Sequence, residues 1–233
     1  MNNLKYNSVN SLDVGVAISG EGSYDAPSRD QTSYTIPGRN GTLIVDNGRY
    51  NNITISYPAF VMTDFPTSAA DIRKWLLTPT GYCRLEDDYH TDEFRLAIFS
   101  GTIGFDTTAY NKHAEFTIKF NAKPQRFLKT GETVTTCTAS DSITNPTDFV
   151  ALPLIAVAGT GSGTLSINGT TVTFEDLPGS IVLDCDTQNA YSGYDPANNL
   201  MTGSFPYLSP GANGVTFSGG ITSVEITPRW WRI

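Results

Sequence analysis

The chain has 233 residues and a net charge of −8 at pH 7, and 39% of its residues are hydrophobic. This length suits one large β domain or two domains of ordinary size, and the negative charge argues against nucleic-acid binding as the main task. No apolar run approaches the roughly 20 residues that a membrane-spanning helix needs, and the first residues lack the apolar stretch of a signal peptide. We therefore predict a protein that folds in a cytosol, with neither nucleic acid nor membrane as a partner.

The distribution of charge divides the chain into two parts. Residues 1–140 carry 13 Lys and Arg against 15 Asp and Glu, whereas residues 141–233 carry 2 against 8. With 21 Gly and 13 Pro, the composition favours many short strands and turns over helices or disorder. The three cysteines, Cys83, Cys137 and Cys185, match no metal-ligand spacing, so we predict buried free thiols and no metal site.

The first part of the chain predicts a sheet of short strands. Single strands are expected at 14–18, 32–36, 82–86, 94–99 and about 102–106. In addition, a hairpin is expected to join strands at 42–45 and 50–57 through Asn47-Gly48, because this pair supplies the positive φ angles of a tight turn.

One helix is predicted, over residues 68–77. Ser68 is expected to cap its N-terminus, with Asp71 in the capping-box position three residues later. A following proline and glycine end the helical pattern. The spacing i, i+3, i+4 predicts one buried stripe, formed by Ile72, Trp75 and Leu76.

Residues 113–120 carry the clearest strand signal of the chain. Apolar side chains alternate on one face, at Ala114, Phe116, Ile118 and Phe120. Pro124 is expected to end the strand, because proline has no N–H to donate to a ladder. After residue 132 the chain is nearly pure β in character, and we predict the domain boundary between residues 132 and 133.

The second part predicts a β-sandwich. Its strands are expected at 152–158, 164–168, 171–174, 181–183, 215–217 and 221–227. Gly159–Gly163 is predicted to be a glycine-rich β-turn, since a dinucleotide-binding loop would need glycine at position 164 and a helix after it. Residues 186–213 are predicted to be one long irregular loop, and loops of this length are often functional.

The sequence favours neither catalysis nor metal binding. The acidic segment 86–93 lacks the spaced ligands and central glycine of a calcium loop, so we predict a solvated hairpin loop. His90 and His113 have no Cys or Glu at a metal-ligand offset. A carboxylate pair for glycoside hydrolysis stays open, because the separation of its members is a three-dimensional quantity. No pair is distinguished, and we predict a protein without enzyme activity or cofactor.

Three segments of the first part resemble one protein family. They are residues 123–132 (Lys-Pro-Gln-Arg-Phe-Leu-Lys-Thr-Gly-Glu), residues 37–43 (Pro-Gly-Arg-Asn-Gly-Thr-Leu), and residues 71–76 together with 81–85. These segments resemble the first domain of siphophage distal tail proteins, in which the second of them is a Gly-Arg-x-Gly hairpin. The order of segments after residue 132 is similar to the galectin-like second domain of the same family.

The resemblance implies a mainly β fold: a β-sandwich or split-barrel domain with one α-helix over residues 1–132, then a galectin-like β-sandwich over 133–233. It implies a structural protein of the virion, assembled in the host cytoplasm. Six copies would form a ring at the tail tip, between the tail-tube protein and the tail-associated spike or fibre protein. The second domain would project outward and dock peripheral proteins, such as a receptor-binding protein.

The alternative from another class is a carbohydrate-binding module that contacts host cell-wall glycans. The galectin sugar site uses a His-x-Asn-x-Arg strand, and this chain has no histidine after His113, so the sandwich is expected without lectin chemistry. Aromatic residues of the kind enriched in interface cores occur within 186–213, namely Tyr191, Tyr194, Phe205 and Tyr207. We predict that they contact a partner protein or a glycan; the alternative is that they pack within the loop itself.

Overall fold

The computed structural model describes residues 2–20, 22, 24–61, 64–108 and 110–233. The chain divides into two compact units: the first runs to Arg126 and includes Ile233, and the second covers Phe127–Arg232. The boundary expected from the sequence lies a few residues after this division. Within the described residues, no helix has both the length and the apolar character that crossing a membrane would require.

The first unit is an antiparallel sheet packed against one helix. Its elements are β1 (Leu4–Tyr6), β2 (Val9–Asn10), β3 (Val16–Ile18), β4 (Arg29–Thr35), β5 (Thr42–Tyr50), β6 (Ile53–Val61), α1 (Phe65–Leu77), β7 (Cys83–Asp87), β8 (Glu93–Phe99), β9 (Asp106–Thr108) and β10 (His113–Leu128). The main sheet has the order β2-β1-β7-β8-β10-β6-β3, with β9 beside β10. β4 and β5 pair only with each other and form a separate hairpin.

β10 supplies the centre of the core in the first unit. From His113 to Phe120 its residues alternate between exposed and buried, which confirms the predicted strand and its buried face. The Phe120 ring contacts three other aromatic rings, with centroid separations of 4.8 Å to Tyr6, 6.1 Å to Tyr57 and 6.2 Å to Phe99. Contacts of this kind add to the stabilisation from burial itself.

The prediction that β10 ends at Pro124 is wrong, because the strand continues to Leu128. Its pairing with β6 ends earlier, at Ala122 opposite Ile53. Pro124 therefore lies outside the pairing of β10 with β6, so no carbonyl of β6 lacks a donor because of it. The fixed φ of proline is compatible with extended backbone.

α1 begins earlier than predicted, at Phe65, with Asp64 as the N-cap residue and Pro66 in the first turn. Proline suits this position because the N–H that it lacks would have no partner inside the helix. Ser68 is therefore inside α1 and not its cap. The predicted buried stripe is confirmed, since Ile72, Trp75 and Leu76 are all buried. The Trp75 indole also donates a hydrogen bond to the main-chain oxygen of Tyr6, at 3.2 Å.

The second unit is a mainly antiparallel β structure. Its strands are β11 (Thr135–Cys137), β12 (Asp141–Asn145), β13 (Leu154–Ile167), β14 (Thr170–Asp184), β15 (Asn189–Ser192), β16 (Asp195–Pro196), β17 (Met201–Gly203), β18 (Gly211–Thr227) and β19 (Trp231–Arg232). Their order is β11-β18-β13-β14-β15-β16, with β12 also on β18 and β17 also on β14. The mainly β fold class with one α-helix is confirmed for the described residues; the galectin likeness of this unit stays a prediction.

The predicted turn at Gly159–Gly163 is wrong, because β13 runs through it without interruption. The pairing of β13 with β14 shifts register between Gly161 and Gly163, where the strand is irregular. A Cβ atom at Gly220 would overlap the carbonyl oxygen of Thr160, and one at Gly159 would overlap the carbonyl oxygen of Gly220. The glycines are therefore needed where the backbones of β13 and β18 approach closely.

We expect Gly220→Ala to destabilise the second unit by about 1–3 kcal/mol or more, because the added methyl group forces two strands apart. Gly214→Ala is the matched control, since the same strand has open space there and no positive φ. Chemical denaturation followed by tryptophan fluorescence measures both variants. Equal midpoints for the two would show that the close approach is dispensable.

The segment 186–213 is not the irregular loop that we predicted. It contains β15, β16 and β17 and a 3₁₀ turn at Asn198–Leu200. Ala190 and Ala197 are buried in the core of the second unit, and the N–H of Ala197 donates to the oxygen of Ala190 at 2.8 Å. Most of this segment is therefore part of the domain and not an insertion on its surface.

Candidate assembly surfaces

The hairpin of β4 and β5, residues 29–50, is the most unusual surface of the first unit, and we call it the arm. Neither strand pairs with the main sheet, and no residue of the arm belongs to a hydrophobic core cluster among the described residues. Nearly every residue of the arm is exposed. The arm therefore extends from the unit without covering any of its core.

The register of the arm places apolar side chains on one face. Tyr34 lies opposite Leu43, and Thr32 lies opposite Val45, and residues directly opposite each other share a face of the hairpin. Tyr34 is 54% exposed, and Leu43 and Val45 are each 43% exposed. Ile44, on the other face, is 57% exposed. A two-stranded hairpin is at best marginally stable alone in water. Exposed apolar surface of this kind is typical of sites that bind another molecule.

The predicted hairpin through Asn47-Gly48 is wrong, because β5 pairs with β4 and not with β6. These residues lie inside β5, where Gly48 has a φ of 73° and its N–H donates to the Asp46 carboxylate at 2.8 Å. The pairing of β4 with β5 is irregular at this point, between Arg29 and Gln31. The positive φ that we assigned to a turn is instead used by a bulge.

The true turn of the arm lies in the segment that resembles the Gly-Arg-x-Gly hairpin. We call residues 36–41 the tip. Gly38 and Gly41 both have a φ of 79°, which only glycine adopts freely, and the N–H of Arg39 donates to the oxygen of Ile36 at 3.2 Å. The tip is exposed throughout and carries one charge, that of Arg39.

The acidic segment 86–93 joins β7 to β8 as a hairpin, as predicted, and several of its residues are exposed. Asp87, His90 and Glu93, however, form a polar cluster that is largely buried. The Asp87 carboxylate accepts hydrogen bonds from the main-chain N–H groups of Tyr89 and His90, at 3.1 and 2.9 Å. It also accepts the Tyr57 hydroxyl at 2.6 Å, and the His90 Nδ1 lies 2.9 Å from it. Glu93, which is buried, pairs with Arg126 at 3.2 Å.

Burial shifts the pKa values of two side chains at this cluster, Tyr57 and Arg95. It raises the pKa of Tyr57 well above its usual value, and the neighbouring Asp87 carboxylate raises that pKa further. Burial also lowers the pKa of the Arg95 guanidinium, as does the nearby charge of Arg126. The cluster links four strands of the sheet, β6, β7, β8 and β10. In the part of the chain that the structure describes, no group of His, Cys, Asp and Glu could hold a metal ion.

The cysteines are all free, and two of them are buried as predicted, Cys137 and Cys185. Burial raises the pKa of the Cys185 thiol to about 12, with a further contribution from the Asp184 carboxylate. Such a thiol is protonated at neutral pH and is not a nucleophile. Cys83 is half-buried, which corrects the prediction for that residue.

The four aromatic residues predicted to bind a partner lie in different surroundings. Tyr191 is in β15, opposite Val182, and is half-buried, whereas Tyr194 in the following turn is fully exposed. Phe205 packs against the core of the second unit. Tyr207 is 42% exposed, next to the bridge between Ala151 and Leu208. Two of the four, Tyr194 and Tyr207, are thus available for contact.

Tyr207 has apolar neighbours that the sequence did not reveal. Ala151 and Leu208 exchange two main-chain hydrogen bonds of 2.9 Å and are both buried, whereas Val150 and Leu152, on either side of Ala151, are exposed. The antiparallel bridge places Leu152 opposite Tyr207. Val150 also accepts a hydrogen bond from the Trp231 indole at 2.9 Å, and Trp231 stacks on Phe149 at 4.4 Å. This surface of the second unit is defined by Val150, Leu152 and Tyr207, and we call it the apolar patch.

The fold is similar to that of proteins from phage hubs and baseplates. In particular, it is similar to the fold of the SPP1 Dit protein, described as a paradigm of the hub adsorption apparatus in phages that infect Gram-positive bacteria; the TM-score is 0.76 at 12% identity, over 100% of both chains. Two structures of the phage p2 baseplate in its activated conformation also match. The form with Sr gives a TM-score of 0.51 at 9% identity, over 97% of this chain and 98% of that one. The form with Ca gives 0.52 at 10% identity, over 97% of each.

No protein-family profile matches the chain, and no curated protein sequence does. The resemblance inferred from the sequence is confirmed by these structural matches at the level of the fold.

Proposed function

We propose that this protein is a distal tail protein, a structural component of a siphophage virion that forms a ring of six copies at the tail tip. The observation that carries the proposal is the arm, an exposed hairpin with an apolar face and no surface of its own unit to cover. The similarity of the fold to that of SPP1 Dit, a hub protein, supports the same proposal.

A ring explains the arm physically. When each copy extends one arm onto the next, the contact is head-to-tail, and such contacts either close into a ring or grow into an open filament. In a closed ring every arm lies on a neighbouring copy, so the apolar face of the arms is no longer exposed. The work of the protein is then geometric, and we propose no reaction for it.

The ring has neighbours on both sides in this proposal. The tail-tube protein lies above it and the tail-associated spike or fibre protein below it, in a virion that assembles in the host cytoplasm. The second unit, galectin-like in our proposal, projects outward to dock a peripheral protein such as a receptor-binding protein. Residues 141–233 carry a net charge of −6, so a neutral or basic partner surface is favoured.

Negative-stain imaging of the purified protein tests the ring. The expected result is particles with a central opening and six-fold symmetry. Open filaments or single globular particles at the same concentration, also in the presence of the tail-tube protein, would contradict the proposal.

We expect Tyr194→Ala and Tyr207→Ala to leave the ring intact and to abolish binding of the peripheral protein. Both side chains are exposed, and Tyr207 belongs to the apolar patch, so truncation removes contact area without opening the core. Phe205→Ala is the contrasting variant, because this residue packs against the core and its truncation lowers stability. Binding is measured by pull-down with purified baseplate proteins.

A salt titration and a glycan array complete this test. The affinity for a basic partner surface is expected to fall as ionic strength rises. If the two tyrosine variants bind the peripheral protein as tightly as the wild type does, these residues are not part of the docking surface. A glycan array that responds to the wild-type protein while no virion protein binds would favour the carbohydrate-binding alternative.

A further inference from the structure

The first unit has a surface cleft of about 630 Å³ beside the C-terminal half of α1. Its walls come from the turn between β1 and β2, the 3₁₀ segment Ser11–Val14, the last turns of α1 and the residues that follow the helix. Apolar surface is supplied by Val9, Val14, Trp75 and Pro79. Charge is supplied by Asp13, Asp71 and Lys74, so the cleft carries a net charge of −1.

The two acidic residues of the cleft form no ion pair with Lys74, the cation that lines the cleft with them. Among the residues that the structure describes, neither Asp13 nor Asp71 takes part in an ion pair. Both side chains are exposed, so they are available to a cation from another molecule.

The tip of the arm carries a matching charge. Arg29 pairs with Asp46, and Arg49 pairs with Asp30, each at 2.6 Å, so four of the five charges of the arm neutralise one another. The fifth is Arg39 at the tip, for which the described residues provide no ion-pair partner. Next to it, Ile36 is 38% exposed and is followed by Pro37, which gives the tip an apolar side as well.

We propose that the tip of the arm in one copy lies in the α1 cleft of the next copy, with Arg39 paired to Asp13 and Asp71. Ile36 and Pro37 then contact the apolar part of the cleft. This inference rests on the proposed ring and names the surface on which each arm ends. Each copy donates one tip and receives one, as a closed head-to-tail contact requires.

A native thiol makes the contact directly testable. Cys83 lines the cleft and is half-buried, whereas Cys137 and Cys185 are buried at 2% exposure each. In full-length protein carrying Asn40→Cys at the exposed tip, a short bis-maleimide is expected to join residue 40 of one copy to residue 83 of the next. Denaturing electrophoresis should then show a ladder of covalent oligomers.

Two controls define this result. The ladder is expected to disappear when Cys83→Ser is added to Asn40→Cys, and to be absent from Asn51→Cys, which places the new thiol at the base of the arm. A ring without the ladder, or a ladder that survives Cys83→Ser, overturns the inference and leaves the proposed ring standing. Wild-type protein that is monomeric before any cross-linker is added, both with and without the tail-tube protein, contradicts the proposed ring itself, and this inference with it.

A charge exchange provides a second, independent test of the same contact. Arg39→Glu is expected to raise the concentration at which the ring dissociates by about tenfold or more, since it opposes like charges across an interface. Asp71→Lys added to Arg39→Glu is expected to restore assembly, because the pair is re-formed with its signs reversed. Unchanged assembly of Arg39→Glu, or a double variant no better than Arg39→Glu alone, contradicts the proposed pairing.

Discussion

Serine in place of both Leu43 and Val45 is expected to give a folded protein that no longer assembles. The two side chains lie on the apolar face of the arm and contribute nothing to the core of their own unit. Burying a fully exposed side chain of this size stabilises by about 1.5–3 kcal/mol. Each of the two is 43% exposed, so each arm loses about 1.3–2.6 kcal/mol of its contact with the next copy. That loss corresponds to a weakening of each contact by about one to two orders of magnitude.

Size-exclusion chromatography with light scattering measures the effect, and circular dichroism checks that the fold is retained. Thr35→Ser with Thr42→Ser is the matched control, because these residues form an opposed pair next to Leu43 that lacks large apolar side chains. The control is expected to assemble as wild type does. A double serine variant at 43 and 45 that still forms rings would show that the apolar face of the arm is not the contact.

Trp75→Ala is expected to be the most damaging single substitution in the first unit. The side chain is 6% exposed, belongs to the core cluster beneath α1, and donates its indole hydrogen bond to Tyr6. Truncation of a buried tryptophan costs about 3–5 kcal/mol, and it also leaves the Tyr6 oxygen without this donor. We therefore expect insoluble protein, or soluble protein with a strongly lowered unfolding midpoint.

Lys74→Ala provides the comparison, since this neighbouring helical residue is exposed and its loss is expected to change stability by no more than about 0.5 kcal/mol. Urea denaturation of both variants distinguishes the two outcomes. Similar midpoints would mean that α1 does not hold the first unit together in the way that its burial pattern indicates.

The sequence predicted well those elements whose apolar residues recur with a single period and pack against a single core. Phe116, Ile118 and Phe120 alternate because β10 has a buried face along its length, and Ile72, Trp75 and Leu76 recur at helical spacing because α1 has one buried stripe. Such patterns depend on neighbours a few residues away, so they can be recognised without the fold.

The elements that the sequence did not predict depend on contacts between distant segments. Gly48 supplies a positive φ in either a turn or a bulge, and only the pairing of β5 with β4 decides between them. Gly159 permits either a turn or a close strand approach, and the partner is on β18. From the sequence alone, Asp87 would be taken for a surface charge. Only the sheet brings Tyr57, thirty residues earlier in the chain, within hydrogen-bond distance of it.

The same distinction between local signals and contacts between distant segments applies to the candidate assembly surfaces. The tip of the arm could be anticipated, because glycines at 38 and 41 are a local signal for a turn. The exposure of Leu43 and Val45 could not be anticipated, since a run of consecutive apolar residues in a strand ordinarily indicates burial within the same chain. Tyr207 and its apolar neighbours meet only through the bridge between Ala151 and Leu208.

The mass of the purified protein in solution tests the central claim most directly. The chain has a mass of 25.2 kDa, so a ring of six copies has a mass of about 151 kDa. Multi-angle light scattering at micromolar concentration, with and without the tail-tube protein, is expected to give this mass in at least one of the two conditions. A protein that stays at the mass of one chain in both would contradict the account.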